Sequence, residues 1–504
     1  MFQNMITKET FRFLTAKLGK KTASEKKKSN DFCYMIQKMI KFARSTQFFF
    51  LICFMANVIK LRKGLDINLA GKALRERVVT PPSSVYGLSP SSFPGITPKL
   101  AVKEGAHVLA GEPLFVSKQC PELGFASPVS GTVKAVVRGA RRKVLMVTVE
   151  TDTTQQVRDY GKANPEDLDG NAVKAKLLEA GIFGYINQLP YAVVANPQTQ
   201  PDGIFVSALR DMPLSCDFEV ELQGNEEAFA TGLMALARVA PVHLGTGAQQ
   251  TAAALTSVEG VDLNVFDGPC PAGNVSVQIN HVSPMSKNKT VWTVDPSAVI
   301  FIGRLFLTGH VDLTRTIAVA GSRVKAPSYT DVKVGAPLRD ILSRRLKEDG
   351  HLRIINGNPL TGSHDSLDGF LGAHTSEVTV IPEGDDADET LGWILPRTRQ
   401  FSVSHSYFSW IFGKKRVYDL DARIKGGERH MIMSGEYDRV LPMDLYAEYL
   451  IKAIIAGDID KQEQLGIYEV APEDFALAEF VDSSKLPLQK IVREGLDILR
   501  KENA

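Results

Sequence analysis

The chain has 504 residues, enough for about three to four domains at ~100–200 residues each. It is 44% hydrophobic and 23% charged, the balance of a globular protein, and its 59 Lys and Arg against 57 Asp and Glu leave a net charge of +2. That near-neutrality conceals a split: residues 1–54 carry a net +8 and the remaining 450 a net −6. The body therefore lacks the clustered positive charge that nucleic acid demands.

Residues 1–54 also hold nine of the 25 Phe, the run Lys26, Lys27, Lys28 and the apolar stretch 48–54. Seven strongly apolar residues fall short of the ~20 that a membrane span requires. A secretory signal would have a short basic region and a small-residue cleavage site, and neither is present. The stretch reads as upstream translation ahead of a start at Met55, the competing reading being a basic amphipathic membrane anchor. Beyond Met55 only Cys120, Cys216 and Cys270 remain, widely separated and with no C-x-x-C, which excludes the usual zinc and iron–sulfur spacings and fits a reducing compartment. The His residues are scattered without a paired face, so a metal site is not expected.

Short β-runs and turns fill 60–150. Gly105 and Gly111 mark tight turns, Val108 and Leu114 point inward, and Pro128 to Gly131 turns the chain into a mirror-image half. The two halves, 102–115 and 127–133, resemble a lipoyl/biotinyl-type sandwich. A carrier would present a lysine at the tip of the connecting hairpin; Lys118 sits near a strand end with no flanking Met or Asp, so a structural module is expected. Strands at 133–137 and 144–149 flank a turn at 139–142, whose Arg141, Arg142 and Lys143 read as a solvated tip. Residues 155–169 form a linker, and 171–180 a helix with Val173, Leu177 and Leu178 at helical spacing.

An α/β pattern follows: a buried strand at 203–209, Asn225 placed to cap a helix over 226–239, and a strand at 242–245, which together predict a parallel sheet. Gly245, Thr246 and Gly247 are the nearest approach to a phosphate-binding turn, but position 250 is Gln250 where the third glycine of G-x-G-x-x-G would stand, so a structural turn is expected. From 314 to 362 the pattern is a small β-grasp, with strands at 316–320, 329–334 and 352–355 and an exposed helix over 338–346. Phe401, Tyr407, Phe408, Trp410, Ile411 and Phe412 precede Lys414, Lys415 and Arg416; aromatics beside cations suit a membrane interface or a subunit seam, and equally a hairpin whose rings are internal core. From 442 the chain is helical, with one face expected from Leu445, Tyr449, Ile451, Ile454 and Ile455 and another from Leu488, Ile491, Val492, Leu496 and Leu499.

The order of these modules, with the motifs at 59–67, 266–275, 380–384 and 435–444, resembles the family of the A subunit of the Na+-translocating NADH:quinone oxidoreductase, NqrA, over essentially everything from Met55 onward. The same architecture resembles RnfC and the flavoprotein subunit of respiratory complex I. The resemblance implies a multidomain α/β and β protein: 1–54 a non-native extension, 55–155 a barrel-sandwich hybrid, 156–312 a Rossmann-like α/β domain, 313–432 an SLBB-like β-grasp with a hairpin insertion, and 433–504 a helical, cluster-less ferredoxin-like domain. It implies a peripheral subunit on the cytoplasmic side of the bacterial inner membrane, docked chiefly to the membrane-embedded B subunit, with FMN, riboflavin, FAD and iron–sulfur in partner subunits and none bound here. Segment 477–483 offers no thiolate where relatives place cluster cysteines. The segments matching the family's suspected quinone loops hold Phe93, Pro94, Gly95, Tyr185 and Gln188, expected to lie together; Phe408, Trp410, Phe412, Lys414 and Lys415 are the candidate partner or membrane interface. Two other classes stay open, a carrier-domain component and a stand-alone ligand-binding β-grasp protein.

Overall fold

The computed structural model describes residues 57–347, 350–385, 396–405, 407–413 and 415–503. The predicted extension 1–54 and Lys414 lie outside them.

Residues 85–151 form two antiparallel sheets. Val85–Leu88, Val144–Thr151, Gly131–Arg138 and His107–Val108 make one, in that order; Pro98–Leu100, Pro113–Ser117 and Gly124–Ala126 make the other. Val108, Leu114, Phe115, Val133, Val147 and Val149 are all buried; Gly131–Arg138 alternates at its start, whereas Leu114 and Phe115 are buried side by side at a break in the strand register. The tip at 139–142 is a short 3-10 turn in which Arg141 and Arg142 both adopt positive φ.

The α/β layer is a seven-stranded sheet in the order Asn57–Lys60, Asp262–Asp267, Val242–Gly247, Gly203–Ser207, Val291–Val294, Ile186–Leu189, Val193–Val194. Its central four strands run parallel. Asp169 caps the helix Gly170–Glu179 through Ala172 N–H. Asn225 precedes the helix Glu226–Ala237 but does not cap it: its side chain accepts from Arg304 and donates to the Glu221 carbonyl instead. That helix packs on Pro296–Thr308 so closely that a Cβ at Gly303 would stand 1.7 Å from the Ala228 carbonyl oxygen, and one at Gly232 2.1 Å from that of Val299.

The β-grasp sheet runs Ser328–Lys333, Thr314–Ala320, Glu377–Pro382, Leu352–Asn356, Ser363–Asp365. Its helix is shorter than expected, Leu338–Ile341, and Leu338 and Ile341 are buried, not exposed. Arg344 at φ 59° turns the chain away where the apolar spacing would have continued it. The expected hairpin is also corrected: among the described residues of 401–416 no strand forms, and the ordered element is a 3-10 helix, Phe408–Phe412.

In the C-terminal part the helix Leu488–Glu502 buries Leu488, Val492, Leu496 and Leu499 as expected. The helix Ala447–Ala456 differs. It buries Ala447, Leu450, Ile451 and Ala453, while Tyr449 and Ile455 face solvent.

Candidate functional site

Two of the sequence-predicted residues meet. Ser89 and Pro90 start a 3-10 turn over Pro90–Ser92, and Phe93, immediately after it, turns into the core. Tyr185 ends the 3-10 turn Phe183–Tyr185 just before the chain enters its strand. The two ring centroids lie 5.5 Å apart and nearly perpendicular, the edge-to-face geometry favoured by aromatic quadrupoles. Phe125 stands 4.4 Å from Phe93, Phe301 lies 5.6 Å from Tyr185, and His374 is 5.6 Å from Phe93 and 5.4 Å from Tyr185. The cluster thus joins the sandwich, the α/β layer and the β-grasp. Its two predicted members are packed wall, not loop tips, at 2% and 3% exposure.

The polar atoms of this wall stand out. The Tyr185 hydroxyl and His374 Nε2 are buried and find no hydrogen-bond partner among the described residues, a costly arrangement for groups that water would satisfy. Burial pushes the Tyr185 hydroxyl above its ordinary range and pulls His374 down to about 4 from 6.5. His374 is therefore neutral in the fold at neutral pH. Because its folded value is depressed, the unfolded chain takes up its proton first, so its contribution to stability falls as pH drops from about 6.5 to about 4. Replacing His374 by Leu should flatten that part of a urea-midpoint profile against pH.

Beside the wall lies a buried ionic cluster that no sequence motif announces. Arg210 donates to Glu221 at 3.0 Å, to Asp295 at 3.2 Å and to the Ser297 hydroxyl at 2.8 Å. Arg315 reaches the same hydroxyl at 2.8 Å and the Ala373 carbonyl at 3.2 Å, and stands 3.5 Å from Asp295. Ser297 in turn donates to Glu221 at 2.8 Å. Two guanidiniums thus face two carboxylates around one hydroxyl, and the cations hold Asp295 below the usual carboxylate range despite its burial. Arg210, Glu221, Asp295 and Ser297 come from the α/β layer, Arg315 from the β-grasp, so the cluster pins the two together.

The other predicted residues sit at the edge of this junction. Pro94 accepts a hydrogen bond from Val194 N–H at 3.0 Å. Gly95 is exposed, its carbonyl taking Arg500 at 3.3 Å. Gln188 lies within the strand Ile186–Leu189, not in a loop, and its Oε1 accepts from Asn196 N–H at 2.8 Å. Gly245 and Gly247 are likewise strand, not turn: Val242–Gly247 continues through both, and a Cβ at Gly245 would meet Gln278 Oε1 at 1.9 Å. The glycine admits an amide side chain where a phosphate turn was weighed.

The aromatic stretch is inside out. Ser409 is fully buried while Phe408, Trp410, Ile411 and Phe412 are 48–64% exposed, so these rings are not internal core. Lys415 is exposed beside them. No helix among the described residues is long and apolar enough to cross a membrane.

Comparison with known proteins gives the context of this architecture. Three family profiles match in chain order: the NqrA N-terminal barrel-sandwich hybrid domain at 59–152, the NqrA second alpha/beta domain at 168–311 and the NqrA C-terminal SLBB domain at 316–365. The A subunit of the Na(+)-translocating NADH-quinone reductase of Yersinia pestis bv. Antiqua is 33% identical over 450 residues, 88% of this chain and 100% of that one. Its counterpart from Rhodopirellula baltica is 33% identical over 453 residues, 88% and 99% of the two chains. A solved NAD+-reducing [NiFe]-hydrogenase chain, at 13% identity and a TM-score of 0.31 over 60% of this chain and 55% of that one, is too distant to argue from. With 33% identity over nearly the whole length of these relatives and the three domain matches in order, the chain belongs to the NqrA family, that of the A subunit of the Na(+)-translocating NADH-quinone reductases.

Proposed function

We propose that this chain serves as the peripheral A subunit of a Na+-translocating NADH:quinone reductase, on the cytoplasmic side of a bacterial inner membrane, docked chiefly to the membrane-embedded B subunit. The observation that carries the reading is the end-to-end match to curated subunits of that name, 100% of the Yersinia pestis chain. In this reading flavins and iron–sulfur clusters belong to partner subunits, and the purified chain has a featureless visible spectrum. A stoichiometric yellow or brown chromophore would count against it.

Within the complex, the subunit's own part is to shape quinone access at the three-domain junction. The Tyr185 hydroxyl supports this, because an unpartnered buried donor suits a quinone carbonyl, and the aromatic wall around Phe93 suits its ring. Pro94 and Gln188 are half-buried and Gly95 is exposed. Tyr185→Phe removes only an oxygen that makes no hydrogen bond among the described residues, so folding should be unchanged. In the assembled complex, Tyr185→Phe with Gln188→Ala should raise the KM for quinone and alter inhibitor sensitivity, by about five- to tenfold for the loss of one hydrogen bond of ~1 kcal/mol or slightly more. Unchanged quinone kinetics and inhibitor response would remove this part of the reading while leaving complex membership intact.

A further inference from the structure

A cavity of about 730 Å³ lies away from the three-domain junction, between segments 399–407, 419–429, 434–436 and 480–485. Phe401, Tyr407, Phe480 and Val481 give it an apolar side, and five cationic residues line it as well. Its acids are engaged: Asp421 holds Arg423 and Lys425, Asp419 lies 3.4 Å from Arg323, and Glu436 pairs with Arg439 at 2.9 Å. Arg399, Arg429 and Lys485 line the same space, and the side chains of all three have no ion-pair partner among the described residues. Asp482, the acid acting on Lys485, accepts from Ser484 and Leu486 N–H groups. Lys485 also holds φ at 58°, a conformation that costs a non-glycine residue energy. Unneutralised cations gathered around one space are complementary to an anion.

The exposed aromatic segment is attached to the rim of this cavity. Trp410 stacks on His405 at 5.1 Å, close in the chain to the lining residues Ser404 and Tyr407. Arg416 stands 4.1 Å over Phe412 and 5.6 Å over Tyr418, whose ring packs 5.2 Å from the lining residue Phe401. Four apolar side chains therefore project from a single turn with their serine turned inward, next to cations and beside a cavity with excess positive charge. A flat apolar patch fits a protein surface; a projecting knob flanked by Lys and Arg fits a fluid interface, where rings sit at headgroup depth and cations meet phosphate.

We propose that the cavity and its aromatic rim form a membrane-surface site that takes the phosphate of an anionic phospholipid headgroup at Arg399, Arg429 and Lys485, with Trp410 and Phe412 seated among the lipid chains. The test is flotation of the full-length chain with phosphatidylcholine vesicles, with and without phosphatidylglycerol, alongside tryptophan fluorescence. The expected result is binding to the mixed vesicles and not to pure phosphatidylcholine, with a blue shift that Trp410→Phe abolishes. Arg399→Gln, Arg429→Gln and Lys485→Asn together should weaken binding roughly a hundredfold, at the usual strength of one cation near an anionic surface. Asn tolerates the left-handed backbone at position 485, which keeps the fold unstrained. Should that variant lose its thermal transition, the salt response of the unaltered chain decides instead: binding that persists unchanged into high salt overturns the proposal. Equal affinity for both vesicle types overturns it, and so does full competition by free glycerol 3-phosphate, which would mark a soluble phosphate site. Vesicle binding untouched in Trp410→Ser, Phe412→Ser while complex assembly is lost would make the knob a protein seam and overturn it too. None of the vesicle readouts needs the assembled enzyme, so the quinone-access reading stands or falls separately.

Discussion

Arg315→Met should be among the most destabilising single substitutions in this chain, lowering the unfolding free energy by about 3–5 kcal/mol. The side chain is 1% exposed, and its loss leaves Asp295 and Glu221 facing Arg210 alone. It also strips a donor from Ser297 and from the Ala373 carbonyl. A buried ion cluster is not a strong net stabiliser when compared with apolar residues of the same shape, but removing one member exposes the rest to the full cost of desolvation. Asp295→Asn in the Arg315→Met background should recover part of the loss, since the surplus negative charge then disappears. Urea unfolding of the two variants checks this. A midpoint for Arg315→Met indistinguishable from that of the unaltered chain would mean that the cluster does not join the α/β layer to the β-grasp as described.

Gly303→Ala sets two effects against each other. In a helix interior alanine gains about 1 kcal/mol over glycine. The added methyl would lie 1.7 Å from the Ala228 carbonyl oxygen, a backbone atom that can yield only if the helices Glu226–Ala237 and Pro296–Thr308 move apart. Overpacking costs about 1–3 kcal/mol, and a contact with backbone lies at the upper end of that range, so the expected net is a loss of about 2 kcal/mol. Gly495→Ala is the matched control. There the nearest atom is Ile454 Cγ2, 2.8 Å away, so a side chain and not a backbone must give way, although its β-branch keeps it from turning freely. Thermal unfolding should show a clearly larger drop for Gly303→Ala than for Gly495→Ala, and equal drops would refute the backbone-contact argument.

What could be read from the sequence, and what could not, follows from the physics of each signal. The sandwich was legible because its turns use glycine and short apolar runs flank them, which puts Val108 and Leu114 inside, although burial does not alternate strictly along Pro113–Ser117 or Val144–Thr151. The helix Leu488–Glu502 was legible from its apolar spacing at a period of 3.6. The β-grasp helix was overextended because Arg344 adopts a left-handed conformation without the glycine or asparagine that would advertise it. On Ala447–Ala456 almost every position is apolar, so composition could not say which face is buried, and Tyr449 and Ile455 were assigned to the wrong side. The aromatic run 408–412 misled in a related way: apolar residues are usually interior, and only the structure reveals that Ser409 occupies the inside.

The pairing of Phe93 with Tyr185 was reached through family resemblance, not through any local pattern. The ionic cluster was missed altogether. Arg210, Glu221, Asp295, Ser297 and Arg315 are spread over the chain with no spacing that distinguishes them from surface residues. Their partners are set by sheet order and by the docking of two domains, which is tertiary information. A buried charge carries no mark in a single sequence.

A working subunit of a Na+-translocating NADH:quinone reductase should be recoverable with the rest of its enzyme. The direct measurement is isolation of the tagged full-length chain from native membranes in mild detergent, followed by identification of its companions and assay of NADH:quinone reductase activity with and without Na+. The expected result is co-purification with flavin-containing partners and a membrane-embedded one, and Na+-stimulated activity that falls when the chain is depleted. Recovery of the chain alone, with full Na+-stimulated activity in a fraction that lacks it, would show that the chain is not a working part of that enzyme.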